Sequence, residues 1–290
     1  MTTVTVETPA PVLQVTQARA AKSEWIKLRS LRSTWWSILI VLLISIGLGI
    51  LFSDLRGRDM AQHGVLVTDP TQLSLRGFYL AQLAVGVLGV LLITGEYSTG
   101  MIRASLSAVP TRLPVWAGKI VVLAMFIFVI TLAAAFVAFL GGQAVLSHYH
   151  ATLVLSPKSG LLVGPLSGPT HALGVSLSHP GSLRAVFGAA LYMTGVALLG
   201  LGCGFMLRNT GAAIATVFGL LLVLPLLAQA LPNSMQQHVT KFLPLLAGTA
   251  GMITTGGTNQ LSPWTGLGVF GLYVAAALGI GLVVLRRRDA

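Results

Sequence analysis

Between residues 95 and 112 the chain reads GEYSTGMIRASLSAVPTR. One carboxylate (Glu96), two arginines (Arg103 and Arg112), three serines and two glycines stand together there, with long apolar runs on both sides. Only 9% of the 290 residues are charged, so this is where polar chemistry is concentrated. The set suits recognition: charge pairing and hydrogen bonding with a partner that grips the polar side of a short helix. Ile102, Leu106 and Val109 fall at helical spacing, which predicts such a helix inside the loop. A plain connection between helices takes about 2–8 residues, and this one runs from Gly95 to Arg112.

Bond-making chemistry is absent from the pattern. No GxxxxGK[ST] loop exists; the pair Gly118-Lys119 lacks the upstream glycine and is followed by Ile120, so no phosphate-cradling loop is predicted. HExxH, GxSxG and Cys/His metal spacings are missing as well, and no catalytic residue is expected. The single cysteine, Cys203, lies in an apolar run and reads as a small buried residue. His148 and His150 in SHYH could share one side of a strand, but a metal shell would have to borrow His171 or His179, and no metal is expected.

The composition places these residues in a membrane. Hydrophobic residues make up 54% of the chain and mean hydropathy is +0.85, whereas a soluble domain carries charge on about a quarter of its residues. A helix crosses the hydrocarbon core with about 20 apolar residues. Six runs qualify, over 35–52, 77–94, 115–140, 184–206, 211–231 and 264–285. The expected fold is an all-α integral membrane protein with six transmembrane helices, forming one domain over 16–285. Residues 1–15 are expected to be a disordered tail and 286–290 a basic one, and no cleaved leader is expected.

With both termini in the cytoplasm, Arg56, Arg58, Arg76, Lys158, Arg184 and Lys241 fall outside, and the other twelve of the eighteen Lys and Arg fall inside. The positive-inside rule favours that orientation, which makes the opening loop cytoplasmic. The net charge of +11 is spread over loop ends, so nucleic acid is not an expected partner. All six histidines fall on the predicted outer side, and no carboxylate lies in the core of a span. An ion-coupled transporter commonly places such groups at mid-membrane depth. Energy for any transport would then arrive from outside the chain. The polar residues within spans are mild: Gln82, Thr131, Tyr192, Thr194, Cys203, Thr216 and Gln229. They suit an apolar or amphipathic cargo as a set, and interhelical hydrogen bonding one by one.

Other segments carry local signals. In QARAAKSEWIKLRSLRSTWW, Trp25, Leu28, Leu31 and Trp35 recur every three or four residues, with Lys22, Lys27, Arg29 and Arg32 largely off that stripe. This predicts an amphipathic helix lying in the membrane interface against lipid headgroups. Residues 141–183 read as an outer loop with a short helix near either end. KFLPLLAGTAGMI, within 232–263, is too short to span and reads as re-entrant or interfacial. Gly200, Gly202 and Gly204 allow close helix approach, within the subunit or across a dimer. Pro225 is expected to kink the fifth span.

TGEYSTGMIRASLSAVPTRLPVWAGK resembles the loop between the second and third spans of type-2 ATP-binding-cassette (ABC) transporter permeases, in particular the actinobacterial kind. SEWIKLRSLRSTWW before the first span resembles the same family. So do ALLGLGCGFMLRNTGAAIATVFGLLLVLPLL, with Arg208, Asn209 and Thr210 at its inner turn, and the closing LVVLRRRDA. The resemblance covers nearly the whole chain and implies a bacterial plasma-membrane protein, multi-pass, with both termini cytoplasmic. It implies that the loop holds a cytoplasmic coupling helix seated in a separate ABC ATPase. Glu96, Tyr97, Thr99, Gly100, Ile102, Arg103, Leu106, Pro110 and Arg112 would form that contact. Trp25, Lys27, Leu28, Arg29 and Arg32 would form the interfacial helix near it. The chain would bind no cofactor itself, ATP and Mg being held by the ATPase. A second permease copy or a paralogue, and membrane lipids, would be further partners. The implied function is export of a lipid, drug or peptide antibiotic. An ion-coupled secondary transporter and a scaffold without transport activity are the alternatives. The outer loop 141–183 is longer than the family usually shows.

Overall fold

The computed structural model describes residues 17–63, 69–102, 112–156, 160–163, 170–254 and 260–287. The expected N-terminal tail, the tail beyond Arg287, and Arg103, Leu106 and Pro110 of the opening loop lie outside the described residues. The helices are α1 (Gln17–Ser30), α2 (Arg32–His63), α3 (Pro70–Leu75), α4 (Phe78–Ser98), α5 (Arg112–Leu146), α6 (Ser182–Leu207), α7 (Thr210–Phe218), α8 (Leu224–Ala228), α9 (Asn233–Val239), α10 (Pro244–Thr249) and α11 (Pro263–Arg287). Six helical stretches are long and apolar enough to cross a membrane: 32–62, 78–98, 113–146, 182–207, 210–228 and 263–287. The body is therefore an all-α, multi-pass membrane protein.

The first and third of these stretches outrun the apolar runs that predict them. α2 continues to His63 because its polar end pairs its own charges. Arg56 bonds Asp59 at 3.0 Å and Arg58 bonds Asp54 at 2.8 Å, at three- and four-residue spacing. α5 has 35 residues, about 50 Å of helix at 1.5 Å per residue, against a hydrocarbon core of about 30 Å.

α6 sits at the centre and packs on α4, α5 and α11. Its glycines make that possible. A Cβ on Gly200 would strike the Gly86 carbonyl of α4, and one on Gly204 would strike Ile93 of α4. Gly202 faces the other way, where a Cβ would strike Ala277 of α11. The glycine spacing therefore serves contacts within this chain, two faces of one helix meeting two neighbours. α4 reciprocates with Gly89, pressed on the Ala197 carbonyl.

The threonines named within the spans turn back on their own helix. Thr131, Thr194 and Thr216 donate to the carbonyls of Ile127, Ala190 and Ala212 at 2.7, 2.7 and 2.9 Å. Gln82 and Tyr192 differ: the Tyr192 hydroxyl donates to Gln82 Oε1 and joins α6 to α4. Pro225 does disturb the fifth span. It has no N–H to give and its ring crowds the preceding turn, and a π-helical turn, Gly219–Val223, separates α7 from α8.

At the end of the bundle where α2 gives way to α3, Asp69 acts as a clasp. Its Oδ1 accepts from the Thr71 and Gln72 amides at 2.9 and 3.4 Å, capping α3. Its Oδ2 accepts from the Thr254 amide and hydroxyl, both at 2.6 Å. Gln143 of α5 donates to the Pro70 carbonyl at 2.8 Å and accepts from the Val175 amide at 2.8 Å. The short apolar segment forms α10 and a 3-10 turn, Ala250–Met252, with Pro244 and residues 247–252 buried. It packs against α6 and α11 and does not form a span.

The expected helices in 141–183 give way to strands. α5 runs on to Leu146, and β1 (His150–Ser156) pairs antiparallel with β2 (Gly160–Val163) and β3 (Thr170–Ala172) in the order β2-β1-β3. The register sets Val154 opposite Leu162 and His150 opposite Ala172. HATLVLS is rich in residues that favour an extended chain. The sheet is rooted by Tyr149, whose hydroxyl donates to Asp54 of α2 at 2.6 Å.

The close approach of α4 and α6 generates a test. Gly89→Ala puts a methyl group into the Ala197 carbonyl and should lower stability by about 1–3 kcal/mol. Gly268→Ala in α11, where nothing lies within 4 Å, should be neutral or slightly stabilising, because alanine restricts the unfolded chain. Thermal unfolding of both variants in detergent checks the difference.

Candidate functional site

The loop that carries the polar cluster hangs between α4 and α5. α4 ends at Thr99, whose hydroxyl donates to the Gly95 carbonyl at 2.8 Å. Gly100 follows with φ +72°, the left-handed geometry that stops a helix and that a side chain resists. Met101 is exposed, and Ile102 turns back into the core.

At the root of this loop four charges meet. Lys119 sits on α5 with no exposure to solvent, yet its position in an apolar helix gives it nothing local to bond. Its ammonium donates to Glu24 Oε2 of α1 at 2.5 Å and to Glu96 Oε1 of α4 at 2.6 Å. Lys27 of α1 closes the set, donating to Glu24 Oε1 at 3.0 Å and to Glu96 Oε1 at 3.2 Å. An isolated ammonium in such a place would be driven neutral. Two carboxylates pair with this one, and two lysines face the two acids. Glu96 Oε2 is buried and accepts no hydrogen bond among the described residues.

α1 is brought to the cluster by its apolar stripe. Leu28 is fully buried, and Trp25 meets Phe126 of α5 edge-on at 5.6 Å. Trp25 is otherwise exposed, as are Arg29 and Arg32 on the far side. Helix α1 is thus clamped along the ends of α4 and α5, with a basic and aromatic surface left outward. Partial burial lowers the affinity of Lys27 for its proton, but Glu24 and then Glu96 outweigh that effect and hold its pKa above the ordinary lysine value.

A second contact ties the next turn to the same base. Arg208 closes α6 in the left-handed region, φ +51°. Its guanidinium lies over the Tyr97 ring, 5.1 Å from the centroid, and donates to the Val284 carbonyl of α11 at 3.5 Å. Asn209 caps α7, accepting from the Ala212 amide at 2.9 Å, and Thr210 opens that helix. Tyr97 therefore sees the Arg208 turn on one side while its neighbour Glu96 sees Lys119 on the other.

The sequence-predicted residues divide cleanly. Glu96, Tyr97, Thr99, Gly100, Ile102, Lys27, Leu28 and Arg208 gather at one end of the bundle, and Arg112 opens α5 beside them. Glu96 presents its carboxylate inward, not to a surface. Glu24 and Lys119 complete the cluster and stand outside the predicted set. A signal for Lys119 existed: a cation four residues inside a predicted span needs a partner by default. Glu24 was the one acid in a basic helix. Elsewhere, His148 Nδ1 lies 2.8 Å from the Ala144 carbonyl of its own helix. Among the described residues no three His, Cys, Asp or Glu side chains gather as a metal site.

Removing Lys119 alone leaves two buried carboxylates without their main counter-charge. Lys119→Met should destabilise by about 3–5 kcal/mol, while Glu24→Gln, Glu96→Gln and Lys119→Met together should recover most of that loss. Thermal unfolding of the single and triple variants measures both. Lys27 is part-exposed, so its contribution is about 1 kcal/mol or less. Its native pKa is raised, so that contribution is complete below the ordinary value of 10.5 and is lost as pH climbs through the higher native value. The stability gap between wild type and Lys27→Met should hold from neutral pH to about 10 and shrink above it.

Comparison with known families adds one finding. A family model described as ABC-2 family transporter protein matches residues 20–170. That is more than half of the chain, and it takes in most of α1, the cluster and both roots of the loop. The chain matches no curated protein sequence.

Proposed function

Because the chain belongs to the ABC-2 family of transporter proteins, we propose that it is the membrane-spanning permease subunit of an ATP-driven exporter whose ATP and Mg are held by a separate ATPase. The observation that carries this reading is the charge cluster at the root of the loop. Glu96 and Lys119 stand on the two helices from which the loop hangs, and Glu24 binds α1 to both. A partner that moves the loop would pull on α4 and α5 together rather than flex either one. The loop would face the cytoplasm with both chain termini, in keeping with the excess of Lys and Arg on that side. The membrane would be the bacterial plasma membrane.

In this reading Arg103, Leu106, Pro110 and Arg112 touch the ATPase, and Glu96 acts from behind as a positioning residue. Tyr97, stacked under Arg208, would pass the same movement to α6 and α11. Two permeases, identical or paralogous, would enclose the path, and alternating access would move the cargo. A hydrophobic or amphipathic cargo (a lipid, drug or peptide antibiotic) suits spans whose threonines bond their own backbone and leave few polar groups to coordinate an ion.

Purification from native membranes in mild detergent, with mass spectrometry of what accompanies the chain, tests the proposal. A Walker-motif ATPase should accompany wild type. Arg103→Glu with Arg112→Glu should reduce it by about tenfold or more, about 1.4 kcal/mol of binding. Glu96→Gln should keep the ATPase but lower cargo-stimulated hydrolysis, because the loop is intact and its root is loosened. A wild-type preparation without any ATPase would sink the exporter reading.

A further inference from the structure

At the opposite end of the bundle from the charge cluster lies a cavity of about 340 Å³, lined by Phe52, Gln72, Arg76, Tyr79 and Leu80. Gln72 and Arg76 are one helical turn apart at the end of α3, and Tyr79 opens the first turn of α4. The corner between them is fixed from beneath. Gly77 is pressed on the carbonyls of Ser45 and Ile44 of α2, with no room for a side chain. Arg76, next to it, is held by the backbone and presents its side chain to the cavity.

What marks this cavity is unspent bonding capacity. Six of the cations described above have a protein partner, and Arg29 and Arg32 are exposed. Lys27 and Lys119 have Glu24 and Glu96, Arg56 has Asp59, and Arg58 has Asp54. Arg184 donates to the Ile253 carbonyl and Arg208 to the Val284 carbonyl. The side chains of Arg76, Gln72 and Tyr79 have no hydrogen-bond partner among the described residues, although all three are half-buried and line the same space. A guanidinium, an amide and a phenol together offer a fork of N–H donors flanked by two more donors. That set matches the oxygens of a phosphodiester.

The rest of the wall is apolar. Phe52 and Leu80 face the cavity, and Leu80 also lines the next groove along the α2–α4 seam, with Ile40, Leu83 and Val87. A ligand with its anionic head at Arg76 would lay its tail in that groove. No carboxylate is among the residues lining the cavity, so the ammonium of a zwitterionic head would find no counter-charge. We propose that Arg76, Gln72 and Tyr79 bind the headgroup of an anionic phospholipid whose acyl chain occupies the α2–α4 groove. The site concerns the permease alone and does not depend on the ATPase or on which cargo is moved.

The test uses the full chain, extracted in mild detergent and equilibrated with equal amounts of dioleoyl phosphatidylglycerol and dioleoyl phosphatidylcholine. Lipid retained through purification is then quantified by mass spectrometry. Wild type should retain the glycerol lipid severalfold over the choline lipid. Arg76→Gln should bring the ratio back to that of the added mixture, and Arg76→Lys, which keeps charge but loses the fork, should fall between. Arg56→Gln, at the same end but already paired with Asp59, should match wild type. Equal unfolding temperatures of lipid-stripped wild type and Arg76→Gln would establish that the site and not the fold was altered. If Arg76→Gln unfolds early, the same ratio measured on Gln72→Ala with Tyr79→Phe decides. The proposal fails if wild type shows no preference, or if the preference survives in Arg76→Gln and in the double variant. It also fails if soluble glycerol 3-phosphate displaces the retained lipid, which would make this a site for a free phosphate ester.

Discussion

An ammonium group with no access to water is the constraint around which one end of this protein is organised. Lys119 stands in an apolar helix where solvation is unavailable, so its charge has to be met by carboxylates brought from elsewhere. One comes from α4 and one from α1. The requirement fixes three helices at once: moving any of them away strands a charge in a low-dielectric setting. The arrangement is neutral as a whole, two acids against two lysines, so it can sit at the edge of a membrane without a net field penalty. Its strength lies in the asymmetry between keeping the set and losing one member.

The middle of the bundle is held by a different means. In a hydrocarbon setting, apolar side chains gain little by meeting one another, and close backbone approach has to supply the attraction. Gly89, Gly200 and Gly204 bring α4 against α6, Gly86 makes room for Val217 of α7, and Gly202 brings α6 against α11. The Gln82–Tyr192 hydrogen bond adds one directional contact to that seam. Asp69 then closes the far end through caps and Thr254. Ionic, dispersive and hydrogen-bonded contacts thus hold successive levels of the same α4–α6 spine and its neighbours.

Much of this was legible in the sequence, and the reasons for the rest are specific. Span number followed from hydropathy, because six apolar runs admit little else in a lipid environment. The amphipathic stripe Trp25, Leu28 announced α1, and Pro225 announced a break. α2 and α5 run beyond their apolar runs because paired charges and a long apolar stretch extend helices past the bilayer requirement. The hairpin after α5 was missed because a segment dense in Gly, Ser and Pro hides short strands. The charge cluster is the feature least visible in the sequence. Glu24 and Lys119 are 95 residues apart, so a cation inside a span and an acid in a basic helix do not announce each other as partners. Glu96 stands out as an acid at a membrane edge, but its neighbourhood in the sequence points outward while its partners lie inward.

The cluster and the fifth span make a mechanical contrast. Between α1, α4 and α5, a displacement of one helix breaks charged hydrogen bonds of 2.5–3.2 Å in the others. Such a group moves as a body or not at all. α7 and α8 are joined through a π-helical turn where the regular ladder is interrupted. Resistance to bending is lower at such a turn than in an unbroken α-helix. Force applied at the α4–α5 loop therefore meets a stiff block first, and the compliance of the bundle lies farther on, beyond the Arg208 turn that links the two.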